Sequence, residues 1–357
     1  MSTSSSPTRP VKCVVWDLDD TLWQGVAVEG DTPEIPQPDP RVLALIAELE
    51  RRGIVNSVAS RNDPSMLDEL LGHPSVKGLF VAPQVSWQPK SRSIRDIAAH
   101  LNIGLDAVAF VDDSPFERAE VAHVLPEVLV LSPADVPAGL DTPRFTPSAT
   151  VESAGRAQMY REEESRRAAE AEYEGSRADF LRSCNMRLTI RQANVPDLPR
   201  VAELSERTNQ LNSTGHIYTL DELRGKLESE RWLLPVAALE DRFGKYGLIG
   251  AAVVDRQPPW PQDSWLLEHV MLSCRVEGRG IPAALLRWIM GEAKDAGMRG
   301  LKAVYRVSER NLPVRLLFRQ MGFQTVGGHG LVTVTRDLTG PLPRYPEWLK
   351  LDPVPAA

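Results

Sequence analysis

The stretch VVWDLDDTLW, residues 14–23, sets three carboxylates directly after a strand-like apolar run. Acids crowded at the end of a buried strand repel one another and lose hydration, so the fold must bring something positive to them. Outward from this stretch, the short apolar runs KCVVW (12–16), IVNSVA (54–59), GLFVA (78–82), AVAFV (107–111) and EVLVL (127–131) alternate with helix-period segments such as RVLALIAELERRG (41–53) and SIRDIAAHLNIG (93–104). That alternation predicts an α/β domain with a doubly wound parallel sheet. In such sheets ligands bind beyond the carboxyl ends of the strands, where Asp17, Asp19 and Asp20 fall.

Three further elements follow other strands: Ser60 in VASRND, Lys90 in WQPKS, and Asp112 with Asp113 in AFVDDS. Taken singly, each has an ordinary explanation: DxDxT is commonly a turn or cap, and a lone lysine is commonly a surface residue. Four elements in order at strand ends point to one site. Phosphoryl transfer accounts for the inventory. One carboxylate attacks phosphorus, a second moves the leaving-group proton, hard oxygen ligands hold magnesium, and a hydroxyl and an ammonium bind the phosphoryl oxygens. The metal also answers the mutual repulsion of the acids.

DLDDTL, SRND, PKS and VDDS resemble, in this order, the four motifs of the haloacid dehalogenase-like (HAD) phosphatases, over about residues 11–135. The resemblance implies Asp17 as nucleophile, Asp19 as general acid and base, and Thr21, Ser60 and Lys90 as phosphate binders. It implies Mg2+ on Asp17, Asp19, Asp112 and Asp113. Ser60 is preferred to Ser57 because it falls at the end of its strand, and Asp20 is read as a turn residue. Only TLWQGVAVEGDTPEIPQPDP separates Asp20 from the first long helix, which is enough for a small flap and leaves the expected site uncapped.

The first domain is expected at 11–145, after a disordered stretch over 1–10. The Ala-rich, charged segment AGRAQMYREEESRRAAEAEYEGSRADFLRSC (154–184) reads as a long exposed helix within a linker spanning 146–184. A second pattern over 185–338 mixes consecutive strands (MRLTIRQA, WLLPVAALE, GLIGAAVVD, WLLEHVMLS, GLKAVYRV) with helices at LPRVAELSERTNQL, IPAALLRWIMGEAKDAG and LPVRLLFRQMG. It predicts an α+β domain on a mixed, mostly antiparallel sheet. The Pro-rich tail 339–357 is expected to pack irregularly or fray.

Within the second domain, MLSCRVEGRGIPAALL runs from a strand through a glycine-bearing turn into a helix, whose exposed amides can hold a phosphate. Together with ERNLPVRLLFRQMGF it resembles GNAT-type acyltransferases. Aligned on AALL, Glu277 stands where those proteins usually have Arg or Gln, and Pro282 where Gly or Ala is usual; read one step earlier, Arg275, Gly278 and Gly280 give RxxGxG. Beside Arg275 and near a helix start, Cys274 would have a lowered pKa and be a good nucleophile, although a lone cysteine is more often a small buried hydrophobe. Cys13 and Cys184 are assigned to that second case.

WDLDDTLWQG, WQPKSRSIRDIAAHLNIGLDAVAFVDDSPFERAEV, RTNQLNSTG, DRFGKYGLIG and LSCRVEGRG, in this order over about 11–335, resemble the FkbH-like proteins, a HAD domain followed by a GNAT-like domain. That resemblance implies transfer of a glyceryl unit from 1,3-bisphosphoglycerate to Cys274, removal of the remaining phosphate, and passage to the phosphopantetheine arm of an acyl carrier protein for polyketide extender units. The carrier would act in trans. Asn209, Gln210 and Asn212 would bind the glyceryl oxygens or pantetheine amides, a polar helix end with a cap being the equal alternative. His269 is a candidate base, against the commoner case of a satisfied core histidine. Two other readings stand beside this one: a plain phosphatase acting on a small ester with a recognition domain, and a carrier-docking module whose phosphatase site has decayed.

The 357 residues carry 41 basic and 48 acidic side chains, net −7, with no long basic stripe, so neither nucleic acid nor an anionic membrane is expected as partner. Three cysteines without a C-x-x-C pair suit a reducing compartment. No signal-peptide core precedes residue 11, and the expected location is the cytoplasm.

Overall fold

The computed structural model describes residues 10–27, 36–145, 155–208, 210–258, 263–273, 276–308 and 311–352. Asn209, Cys274 and Arg275 therefore lie outside the described residues. The chain divides into two compact units, Met1–Glu164 and Ser165–Ala357.

In the first unit, strands β1 (Cys13–Trp16), β2 (Val55–Ser60), β3 (Gln84–Val85), β4 (Val108–Val111) and β5 (Leu129–Leu131) form a parallel sheet in the order β3-β2-β1-β4-β5. Side chains alternate across the strands, and both faces are apolar. Val14, Trp16, Val58, Ala109 and Val111 pack against helices α1 (Pro40–Arg51) and α2 (Met66–Gly72). Cys13, Val15, Val55, Ala59, Val108 and Phe110 pack against α3 (Lys90–His100) and α4 (Pro115–Val124). Helices on both faces make the sheet doubly wound, as the alternating pattern predicts. A four-residue helix, α5 (Val136–Gly139), adds Val136 to the first face.

The third strand differs from expectation. GLFVA is not a strand: Phe80 makes only an isolated bridge to Asn56, and the chain turns through left-handed Gly78 and Ala82 before Gln84–Val85 joins the edge. Apolarity placed the segment in the core, but positive φ at two of its five residues breaks the extended run.

The expected single linker helix is two helices, α6 (Arg156–Ala171) and α7 (Arg177–Ser183). Nor is it simply solvated. In the first unit Tyr160 donates to the Leu101 carbonyl, 3.1 Å. In the second, buried Arg166 forms a two-pronged pair with Asp241, 2.8 and 3.0 Å, and stacks on Tyr246. Phe180 and Leu181 enter the second core.

The second unit holds a nine-stranded mixed sheet: β6 (Met186–Gln192), β7 (Trp232–Leu233), β8 (Pro235–Asp241), β9 (Gly244–Asp255), β10 (Ser264–Leu272), β11 (Gly300–Arg306), β12 (Gln324–Gly327), β13 (Leu331–Asp337) and β14 (Leu349–Leu351). Its order is β12-β13-β11-β10-β9-β8-β6-β14, with β7 on β9; β10–β11 and β6–β14 are parallel and the other pairs antiparallel. Helices α8 (Leu198–Arg207) and α9 (Leu220–Glu228) cover one face, and α10 (Ile281–Asp295) and α11 (Leu312–Gln320) the other. This is the expected α+β class. The tail does more than fray, because Leu349–Leu351 adds a parallel strand to Met186–Leu188. No helix of the described residues is long and apolar enough to cross a membrane.

Candidate active site

A parallel sheet puts all its carboxyl ends on one edge. Here the chain fills β1, β2 and β3 to one side and then crosses to β4 and β5 on the other, so the switch point lies between β1 and β4. Asp17 follows β1 and Asp112 follows β4, and the strand ends are tied where Asp17 N donates to the Val111 carbonyl, 2.9 Å.

Lys90 opens α3 and points its ammonium between the two acids, 2.7 Å from Asp17 Oδ1 and 2.5 Å from Asp112 Oδ2. Asp17 is 6% exposed, Asp112 0% and Lys90 4%. Asp113 completes a trio: one oxygen from each of Asp17, Asp112 and Asp113 falls within 4.8 Å of the others. Three carboxylates against one ammonium leave about two unmatched negative charges, and all the donors are hard oxygens, so the residues fit a divalent magnesium ion. Burial drives the Asp17 pKa up to about 7, with Lys90 opposing and Asp112 adding to the rise. Burial likewise opposes the charge on Lys90, but Asp17 and Asp112 outweigh it and raise its pKa.

The surrounding contacts fix this cluster. Thr21 Oγ1 accepts from Asp113 N, 3.1 Å; Ser114 N donates to Asp112 Oδ1, 2.8 Å; and Arg118 Nη1 donates to the carbonyls of Asp112 and Asp113, 2.7 and 2.6 Å. At the start of α3, Ser91 Oγ donates to Glu120 Oε1, 2.6 Å. Thr21 thus engages the loop of Asp113, a more local task than the expected phosphate contact. Ser60 is buried at the end of β2, whereas Ser57 Oγ donates to the Ala82 carbonyl, 3.3 Å, which separates the two serines.

Asp19 departs from the expected ligand set. Its Oδ1 accepts from Trp23 Nε1 (2.9 Å) and Ala27 N (2.8 Å), and its Oδ2 from Asn62 Nδ2 (3.2 Å), so its carboxylate faces the loop after β1 and stays outside the trio. Sequence reading missed Asn62, Trp23 and Arg118. Asn62 stood inside the quoted SRND, but what it touches is set by how the β1 and β2 loops meet. Asp20 is the turn residue expected, left-handed with its carboxylate accepting from Gly25 N, 2.7 Å.

The two cysteines read as buried hydrophobes are so: Cys13 in the first unit and Cys184 in the second are both buried, and burial pushes both thiols up. Leu211–Ser213, in the RTNQLNSTG segment, lies beside β10. The β10–β11 ladder stops at Leu267 and Ala303, and beyond it Leu211–Ser213 fills the gap: Ser213 N donates to the Val270 carbonyl, Leu272 N to the Leu211 carbonyl and Arg306 N to the Ser213 carbonyl. Asn212 holds that loop. Its amide donates to the Ser205 and Thr208 carbonyls and its Oδ1 accepts from Gly215 N, so it caps the end of α8, the alternative read from the sequence. Gln210 is partly exposed in the same loop.

His269 is wholly buried on β10. Nδ1 is 2.7 Å from Thr214 Oγ1, and among the described residues Nε2 has no hydrogen-bond partner. Burial holds its pKa down to about 3, from 6.5. Between those values the unfolded imidazole binds the proton that the folded one refuses. Stability is therefore complete above about pH 6.5 and falls as the pH is lowered toward 3, by about 2 kcal/mol at pH 5. In urea unfolding at pH 7 and pH 5, His269→Gln should lose less stability on acidification than the parent by that amount; equal pH sensitivity would refute the assignment.

No family model matches the chain, and no curated protein matches it. Among solved structures, it is similar to the N-terminal part of BF1531 from Bacteroides fragilis, which contains a phosphatase domain and was crystallised with Mg: 29% identity, 37% of this chain, 39% of that one, TM-score 0.32. The match thus spans well under half of that protein. It is similar also to the ribosomal-protein-S18-alanine N-acetyltransferase of Escherichia coli (16% identity, 43% of this chain, 96% of that one, TM-score 0.34) and to an N-acetyltransferase of Staphylococcus aureus Mu50 (23%, 43%, 99%, 0.33).

Proposed function

We propose that the chain is a magnesium-dependent HAD-type phosphatase coupled to an acyltransferase, which loads the glyceryl unit of 1,3-bisphosphoglycerate onto Cys274, dephosphorylates it and hands it to an acyl carrier protein in trans. The observation that carries the phosphatase half is the Asp17–Lys90–Asp112–Asp113 constellation at the switch point of a parallel sheet.

The Cys274 thiolate attacks the acyl-phosphate carbonyl carbon; the carbon–oxygen bond to phosphate breaks, and inorganic phosphate leaves with the electron pair. At the first unit, Asp17 attacks the phosphorus of the remaining ester, and the alkoxide leaves with a proton from Asp19. Water, giving its proton to Asp19, then releases phosphate from Asp17. Lys90 holds phosphoryl oxygen and Asp17 in register. Asp17, Asp112 and Asp113 would hold Mg2+, which when bound would supply the charge stabilisation that phosphoryl transfer needs. Transfer of the glyceryl thioester to the carrier's pantetheine thiol regenerates Cys274.

With 1,3-bisphosphoglycerate and Mg2+, intact-mass analysis should find a glyceryl increment on the protein that Cys274→Ala abolishes. An unlabelled Cys274 alongside full phosphatase activity would overturn the acyl-transfer half. The second reading, a phosphatase of a small ester with a recognition domain, is favoured by the commitment of Asn212 to α8; it predicts turnover that survives Cys274→Ala and disappears in Asp17→Asn.

A further inference from the structure

The turn into α10 has the outline of a phosphate cradle, with Gly278 and Gly280 at φ +73° and +81° and, among the described residues, no side chain capping the helix. Such a cradle works only if the first helical N–H groups face the ligand and the glycines leave its approach open. At the helix start and at Gly280 neither condition holds. Ile281, the first helical residue, is 0% exposed, and Pro282, the second, has no N–H to give.

At Gly280 the space that the glycine leaves is taken by this chain, whereas Gly278 is exposed with only the tip of the Arg177 side chain over it. Arg177 Nη2 lies 2.6 Å from where a Cβ on Gly278 would be, and Pro346 Cγ lies 2.6 Å from where one on Gly280 would be, with Trp348 Cζ2 at 3.5 Å. Trp348 Nε1 donates to the Arg279 carbonyl, 2.9 Å, so the indole is pinned to the turn. The segment is anchored on both sides. Before it, Arg287 Nε donates to the Pro343 carbonyl, 2.8 Å; after it, Leu349–Leu351 pairs with β6, and Asp352 forms an ion pair with Arg187, 3.1 Å.

We propose that Pro346 and Trp348, together with Pro282, are specificity-determining residues that close the α10 turn to a pyrophosphate and so bar free coenzyme A from the acyltransferase unit. This rests on the acyl-transfer reading above. A pantetheine arm borne on a carrier presents no pyrophosphate, so the closed turn separates the two forms of the same thiol.

The test is calorimetric binding of coenzyme A, and of pantetheine, which lacks its phosphates, to the full chain and two variants. Parent protein should show no saturable binding of coenzyme A up to about 1 mM. Trp348→Gly, which opens the strap alone, and the triple variant Pro282→Gly/Pro346→Gly/Trp348→Gly should each gain coenzyme A affinity, the triple by at least about tenfold, with pantetheine binding unchanged. Tight coenzyme A binding by the parent, or no gain in whichever variant keeps the parent's circular dichroism, overturns the proposal. Binding is read without turnover. Failure of Cys274 to take an acyl group would therefore remove the acyl-transfer reading while leaving this result distinct.

Discussion

Replacing Lys90 by alanine is expected to destabilise the first unit by about 3–5 kcal/mol in the absence of divalent ions. The ammonium sits 2.7 Å from Asp17 and 2.5 Å from Asp112, both buried, and its loss leaves acids facing one another with no counter-charge in a low-dielectric site. Magnesium should restore a large part of that stability, because the ion supplies the missing positive charge to the same oxygens. Urea unfolding with chelator and then with excess Mg2+ reads both effects. A cost below about 1 kcal/mol, or the same cost with and without the ion, would show that Lys90 is not the cation that balances this cluster.

Asp17→Asn should have the opposite profile. Phosphatase turnover is expected to fall by at least about a thousandfold, since an amide cannot attack phosphorus, while stability without metal is kept or raised because one of the repelling acids is gone. Asp20→Asn is the matched control. Asparagine tolerates the left-handed backbone at this position and keeps an acceptor for Gly25 N, so activity should stay near the parent's. Steady-state release of phosphate from a phosphate monoester, followed for both variants, decides the point. Comparable losses at Asp17 and Asp20 would mean that the loop, and not the nucleophile, is what matters.

Asp17, Asp112 and Asp113 were legible because each follows an apolar run of strand length, and parallel strands deliver their carboxyl ends to one edge whatever the details of packing; Lys90 was legible as a lysine directly before a helix-period segment. The division of labour was less legible. Asp19 carries the same side chain as Asp17 two residues away, yet its oxygens are taken by Trp23, Ala27 and Asn62. Asn212 looked available for a substrate and is spent on the end of α8. GLFVA had the composition of a strand but lacked the backbone, and the third strand formed at Gln84–Val85.

The glycine turn shows the same boundary in the second unit. Local sequence determined that the chain turns there, since Gly278 and Gly280 take conformations that side chains resist, and Pro282 removed a donor from the helix start whatever else the fold did. Hydrophobic periodicity likewise determined an α/β unit followed by an α+β unit, because it depends only on which residues share a face. What lies against each polar atom depended on segments far apart in the chain: Lys90 between Asp17 and Asp112, Arg166 on Asp241, Pro346 and Trp348 over Gly280. Those pairings follow from strand order and from the path of the tail. No local pattern encodes them, so only the tertiary structure could decide which carboxylates meet a cation and which glycines face protein.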